Sequence, residues 1–355
     1  MPDITGRSQK RGAQPVNYAA YRQLRDELLT DRDFLRLDCM NPTKALTASS
    51  LSPCLPSPIP TDHGLQADIA EAISAWSSAT GIVLDAERTL VGTGVRELLT
   101  AIFLHLQPAI EELWLPLDVY PVYWDLARRA NLQCEALTTL PQPDWEFLKK
   151  SGEKAALLLP VPLSPLGRQL MDGEAETILR WLRQSPDRIL IVDAVYTFDF
   201  DSGRSLLDLL LQNEKQCIVL WSCAKSWLAP GCLGLGAVPR RLSQTLQGHV
   251  ATPTPTNLSK IHAVLRERPQ LCRLQQEAFR REWRRLAPAI RKAAPGWQPP
   301  ANGYFSVVSV PFATLLNDHG ILSIPASVFG SRRNDLSILT CLYDLAAHEG
   351  GVQAS

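Results

Sequence analysis

From Thr89 to Lys225 short apolar runs alternate with stretches whose apolar residues recur at helical spacing, the signature of a parallel sheet with crossover helices. Thr89-Leu90-Val91, Leu113-Trp114-Leu115, Ala155 to Leu159, Arg188 to Asp193 and Cys217 to Trp221 read as strands. Val95 to Leu106, Trp124 to Ala130, Glu174 to Arg183 and Leu206 to Leu211 read as the helices between them. The expected fold class is α/β, with a mainly parallel sheet in the large domain and a smaller α+β domain at the C-terminal end. A chain of 355 residues that is 45% hydrophobic can bury a large core, divided between two unequal domains.

The flanking regions read differently. Residues up to about Pro15 have the composition of a disordered leader, without an apolar signal-like run. Tyr18 to Leu29 has helical spacing, Phe34-Leu35-Arg36-Leu37 is a short strand ending at Asp38, and Thr47 to Pro60 is an extended Ser/Pro/Thr connection before a helix from Leu65 to Ser77. Ala251 to Pro255 reads as a linker, Asn257 to Ala294 as mostly helical with a solvated arginine face, and Tyr304 to Val310 and Leu336 to Thr340 as parts of a small α+β domain. The boundaries expected are 1–45 for an N-terminal arm, 46–250 for the large domain and 251–355 for the small one.

Lys+Arg and Asp+Glu both number 36, which argues against a nucleic-acid or membrane-surface role. The 8 cysteines are scattered without a CxxC pair, so neither a disulfide framework nor a metal site is expected. No apolar stretch reaches membrane-spanning length. The expected location is the cytoplasm.

Ligands of a parallel sheet sit at the carboxyl ends of its strands, and the chemically unusual residues fall there. Gly92-Thr93-Gly94 lies between a strand and a helix start, where backbone N–H groups favour a phosphate. Tyr120 can cover an aromatic ring, Ser164 sits in a proline-rich turn, Asp193 ends an apolar strand with Tyr196 three residues on, and Ser222 and Lys225 end the last strand. A lysine at the tip of a buried strand has its pKa lowered by desolvation, and a neutral amine there can form a Schiff base with an aldehyde.

In this order the motifs resemble the fold-type I pyridoxal-phosphate enzymes, specifically the class I/II aminotransferases. Gly92-Thr93-Gly94-Val95-Arg96 is similar to their phosphate cup, Asp118-Val119-Tyr120-Pro121-Val122-Tyr123 to their Pro-x-Tyr-Pro-x-Tyr element, and Asp193-Ala194-Val195-Tyr196 to their Asp-Glu-x-Tyr motif. Ser222-Cys223-Ala224-Lys225 resembles Ser-x-x-Lys, and Ile324 to Gly330 their Pro-Gly-x-x-Phe-Gly segment. The resemblance implies a three-layer pyridoxal-phosphate transferase fold, pyridoxal 5'-phosphate as cofactor, a small amino acid as substrate and a homodimer. It also implies roles: Tyr120 on the cofactor ring, Asp193 on the pyridine nitrogen, Tyr196 and Ser164 on the ring hydroxyl, Ser222 on the phosphate, and Lys225 as Schiff-base partner and proton carrier.

Several contacts of that family have no match. Leu233 stands where a phosphate-binding arginine is usual, and nothing around Ile59 to Gly64 corresponds to the tyrosine that reaches across the dimer. The arginine that grips the substrate carboxylate falls on Asp335, in Arg332-Arg333-Asn334-Asp335-Leu336-Ser337. Three readings stay open: Arg333 or Arg332 holds the carboxylate, the alignment slips, or Asp335 faces a cationic part of the substrate. The expected activity is amino transfer. The alternatives are elimination, replacement or intramolecular cyclisation of an amino acid such as a hydroxyarginine derivative, and a non-catalytic binding protein on the same scaffold.

Overall fold

A computed structural model describes residues 17–30, 33–46, 51–52, 64–119, 121–201, 204–343 and 345. The expected leader, most of the Ser/Pro/Thr connection and Tyr120 lie outside the described residues. The chain opens with α1 (Tyr18–Leu28), whose N-cap Asn17 accepts the Ala20 N–H at 2.9 Å, followed by β1 (Leu35–Arg36), α2 (Pro42–Leu46) and α3 (Leu65–Thr80). The alternating region then supplies β2 (Thr89–Gly92), α4 (Val95–Leu106), β3 (Glu112–Pro116), α5 (Val122–Arg129), β4 (Cys134–Leu137) and β5 (Ala155–Pro160). It continues through α6 (Asp172–Arg183), β6 (Ile189–Asp193), α7 (Arg204–Gln212), β7 (Cys217–Ser222), the one-turn α8 (Cys223–Ser226) and β8 (Gly234–Ala237).

These strands form one seven-stranded sheet in the order β2-β8-β7-β6-β5-β3-β4. Every neighbouring pair is parallel except those of β8, which runs antiparallel to β2 and β7. Helices cover both faces, so β5, β6 and β7 are buried along their whole length and carry no polar alternation. Side-chain alternation divides the core: Ile189 and Ile191 of β6 join Leu98, Ile102 and Leu126 on one face, while Leu190 and Val192 join Ile178 and Leu182 on the other. This is the three-layer α/β arrangement that the sequence motifs imply.

Beyond the sheet come α9 (Arg240–Gln247), α10 (Pro255–Glu267), which packs on α3, and the long α11 (Leu271–Ala293). The segment after α11 contains β9 (Phe305–Val308), α12 (Phe312–His319), β10 (Ile321–Leu322), β11 (Ile324–Pro325) and β12 (Ser337–Thr340). An antiparallel sheet of order β11-β12-β9 forms there, and β1 pairs parallel with β10, so the N-terminal segment is stitched to the C-terminal one. The stitch is reinforced by the Tyr21 hydroxyl donating to Ser323 O at 3.0 Å and Thr340 N–H donating to Leu37 O at 2.8 Å. Among the described residues no helix is long and apolar enough to cross a membrane.

Candidate active site

The strand ends of the large sheet open on a cavity of 1370 Å³. Its first wall is the turn between β2 and α4. Glu97 folds back from the first turn of α4: one carboxylate oxygen accepts the Thr93 N–H at 2.8 Å and the Thr93 hydroxyl, and the other accepts the Ala251 N–H at 2.8 Å. The turn is thereby held open with the first amides of α4 facing the cavity, and the positive end of a twelve-residue helix behind them. β8 runs so close beneath that a Cβ on Gly234 would sit 2.6–2.8 Å from the Gly94 backbone. Ser222 closes the group from β7: a Cβ on Gly94 would lie 3.8 Å from its Oγ. Ser222 also caps α8, accepting the Ala224 N–H at 3.1 Å.

The second wall comes from β6. Asp193 is 3% exposed; the Tyr123 hydroxyl donates to its Oδ2 at 2.7 Å and the Val195 N–H to its Oδ1 at 3.0 Å. Burial raises its pKa to about 6, against the lowering effect of these two hydrogen bonds. Lys225, on α8, faces the same cavity, and burial alone lowers its pKa. Among the described residues its amine has no hydrogen-bond or ion-pair partner. Tyr196 packs edge-on against Tyr304 and Phe305, with ring centroids at 5.9 and 5.7 Å.

Thr93, Gly94, Val95, Arg96, Ser164, Asp193, Tyr196, Ser222 and Lys225 therefore converge on one cavity, as their positions at strand ends suggested. Gly92 lies one residue behind the wall, where its Cβ would meet Val250 Cγ1 at 2.7 Å. Tyr120 falls outside the described residues. Arg333 and Asp335 are not brought to the cavity: Arg333 Nε donates to Asp335 Oδ1 at 2.7 Å, and the two side chains are 46% and 51% exposed.

Three residues at the cavity have no role assigned from the sequence. Tyr123 closes the Pro-x-Tyr-Pro-x-Tyr element, and its place in the first turn of α5 carries the ring beneath Asp193. Arg36 on β1 and Asp38 just beyond it also reach the cavity, brought there by the pairing of β1 with β10.

The family described as aminotransferase class I and II matches residues 57–341. The chain belongs to that family. Its members work with pyridoxal phosphate. Solved structures with the same fold include a double mutant of aspartate aminotransferase from Thermus thermophilus, 17% identical with 98% of each chain covered and a TM-score of 0.70. Bna3p, a putative kynurenine aminotransferase from Saccharomyces cerevisiae, is 16% identical with a TM-score of 0.72, covering 99% of this chain and 98% of its own. A probable N-succinyldiaminopimelate aminotransferase, also from Thermus thermophilus, is 20% identical with a TM-score of 0.70, covering 95% of this chain and 99% of its own. No curated protein matches the sequence.

Proposed function

We propose that this member of the aminotransferase family binds pyridoxal 5'-phosphate at Lys225 and transfers the amino group of a small amino acid, as a cytoplasmic homodimer. The observation that carries the reading is the shared cavity: a desolvated lysine amine without a protein partner among the described residues, a buried carboxylate and a helix N-terminus all open on it. That donor set fits the cofactor part by part. The α4 amides and Ser222 suit a phosphate, with Thr93 shaping the turn through the two donors it gives to Glu97; Asp193 suits a protonated ring nitrogen, and Tyr196 and Ser164 suit the ring hydroxyl.

Bound there, pyridoxal phosphate supplies an electron sink for the α-carbon of an amino acid. Asp193 holds a proton on the ring nitrogen, and Tyr123 fixes the carboxylate that does so. Lys225, with its pKa lowered by burial, is the group that removes the α-proton and returns one at the neighbouring position. Tyr304 and Phe305 hold Tyr196 in place and keep water from that side of the site. The cyclase alternative rests on the family contacts this chain lacks and on Asp335 as a guanidinium acceptor; Asp335 pairs with Arg333 at the surface, which removes the second of these supports.

The test is to load the purified protein with pyridoxal phosphate, reduce it with borohydride and map the modified residue. The loaded protein is then supplied with amino acids and a 2-oxo acid, and amino transfer is measured. The expected results are label on Lys225 and amino transfer that needs both substrates. Label on another lysine, or release of ammonia without amino transfer, would overturn the proposal.

A further inference from the structure

An aminotransferase substrate carries an α-carboxylate, and the residue matched to the family's carboxylate-binding arginine is Asp335, tied to Arg333 away from the cavity. A guanidinium does face the cavity from the opposite end of the chain. Arg36 lies on β1, pinned by parallel pairing opposite Leu322 of β10. Its side chain is 19% exposed and held on two sides. Asp38, with a side chain 0% exposed, accepts Nε at 3.2 Å and Nη2 at 3.3 Å, and the Tyr343 ring lies against the guanidinium, 3.9 Å from Cζ to centroid. A fork clamped along one edge and one face, on the wall of a cavity, is preorganised for a carboxylate.

The other charges of the cavity limit the rest of the substrate. Its lining carboxylates are Asp38, Glu97 and Asp193, and each is already committed: Asp38 to Arg36 and, at 3.9 Å, Arg25; Glu97 to Thr93 and Ala251; Asp193 to Tyr123 and Val195. No carboxylate among the described lining residues is left to receive a cationic side chain, whereas Arg22 and Arg25 stand on the lining beside Arg36.

We infer that Arg36 binds the α-carboxylate of the substrate, and that the substrate is an α-amino acid with a neutral or anionic side chain. This rests on the pyridoxal-phosphate reading of the site. The specificity of the enzyme is then set from the N-terminal segment, by Arg36 with Asp38 and Tyr343 as its positioning residues.

The experiment begins with the absorbance of the cofactor-loaded parent. If no cofactor binds at Lys225, the proposed function has failed, whatever Arg36 does. Loaded parent, Arg36→Lys and Arg36→Gln are next titrated with L-alanine, L-glutamate, L-arginine and L-alaninamide, followed by cofactor absorbance, and with unreactive maleate by calorimetry. Arg36→Lys keeps a cation against Asp38 but loses the fork. Half-saturation by alanine, glutamate and maleate should rise about tenfold in Arg36→Lys and about a hundredfold in Arg36→Gln, the loss of a charge-assisted bond. Alaninamide, which lacks the carboxylate, should titrate as in the parent, and arginine should be the poorest of the three amino acids. If Arg36→Gln does not fold, Arg36→Lys decides alone. Equal loss of alanine and alaninamide, unchanged titrations in Arg36→Lys, a loss that follows Arg333→Ala instead, or a preference for arginine would each overturn the inference.

Discussion

Replacing Gly234 by alanine should damage the phosphate site without removing any group that meets the cofactor. A Cβ at this position would stand 2.6 Å from Gly94 Cα and 2.8 Å from its N and C, all backbone atoms that no rotamer change can move aside. Ordinary carbon contact begins near 3.4 Å, so the turn must retreat by about 0.6–0.8 Å. Gly94 is the N-cap of α4, and moving it displaces the first amides of the helix from Ser222. A hydrogen bond of about 2.9 Å does not survive a shift of that size in more than one donor, so we expect affinity for pyridoxal phosphate to fall by roughly ten- to a hundredfold. Overpacking of this kind costs about 1–3 kcal/mol of stability, small enough for the variant to fold. The assay is fluorescence quenching of Trp221 and Trp227, both buried beside the site, during titration of the cofactor-free protein with pyridoxal phosphate. Parallel titration with pyridoxal, which lacks the phosphate, should show little difference between Gly234→Ala and the parent. Equal weakening of both ligands, or none of either, would refute the reasoning.

Lys225→Ala should retain weak cofactor binding and lose amino transfer, and borohydride should no longer fix the label, which mass spectrometry checks. Asp193→Asn bears on stability as well as activity. Its carboxyl is raised in the fold from 3.8 to about 6 by burial, so the ionised form is disfavoured there; the penalty is absent below 3.8, grows through the window and is complete above about 6. The cofactor-free Asn variant should therefore be more stable than the parent at pH 7 by up to about 3 kcal/mol, with no difference near pH 3.5, while cofactor-loaded turnover falls by orders of magnitude; denaturant melts across this range test it. Tyr123→Phe removes a buried donor from Asp193 Oδ2, which should cost about 1.5–3 kcal/mol where the carboxylate is ionised and move the acidic limb of the pH–rate profile upward.

The residues that the sequence makes conspicuous, Asp193, Ser222 and Lys225, are those whose local context alone is odd: polar groups at the tips of fully apolar runs. Position along the chain sufficed to place them at one rim, because parallel strands bring their carboxyl ends together. β8 is not among the strands read from the sequence, since glycine is depleted in strands and two of its four residues are Gly234 and Gly236. The structure supplies the reason for the exception: a Cβ on Gly234 would strike Gly94, and one on Gly236 would lie 3.0 Å from Leu220 Cδ2. This strand has to be nearly bare to lie between its neighbours. Arg36 was hidden for another reason. Its importance depends on pairing between β1 and β10, which no local pattern near residue 36 announces. Conversely, Arg333 and Asp335 were conspicuous by register to a known motif, yet two opposite charges spaced by two satisfy each other at the surface first.

The join between the two ends of the chain sets an order of events during synthesis. Tyr21 finds its hydrogen-bond partner 302 residues later, and β1 has no strand to pair with until β10 has left the ribosome. At about 5–20 residues per second, the N-terminal segment waits on the order of 15–60 s with its apolar face uncovered. The seven-stranded sheet, complete by residue 237, is made well before that. The growing chain thus carries all seven strands of the large sheet while β1 still lacks its partner, so the N-terminal segment is the last part of the fold that can be closed.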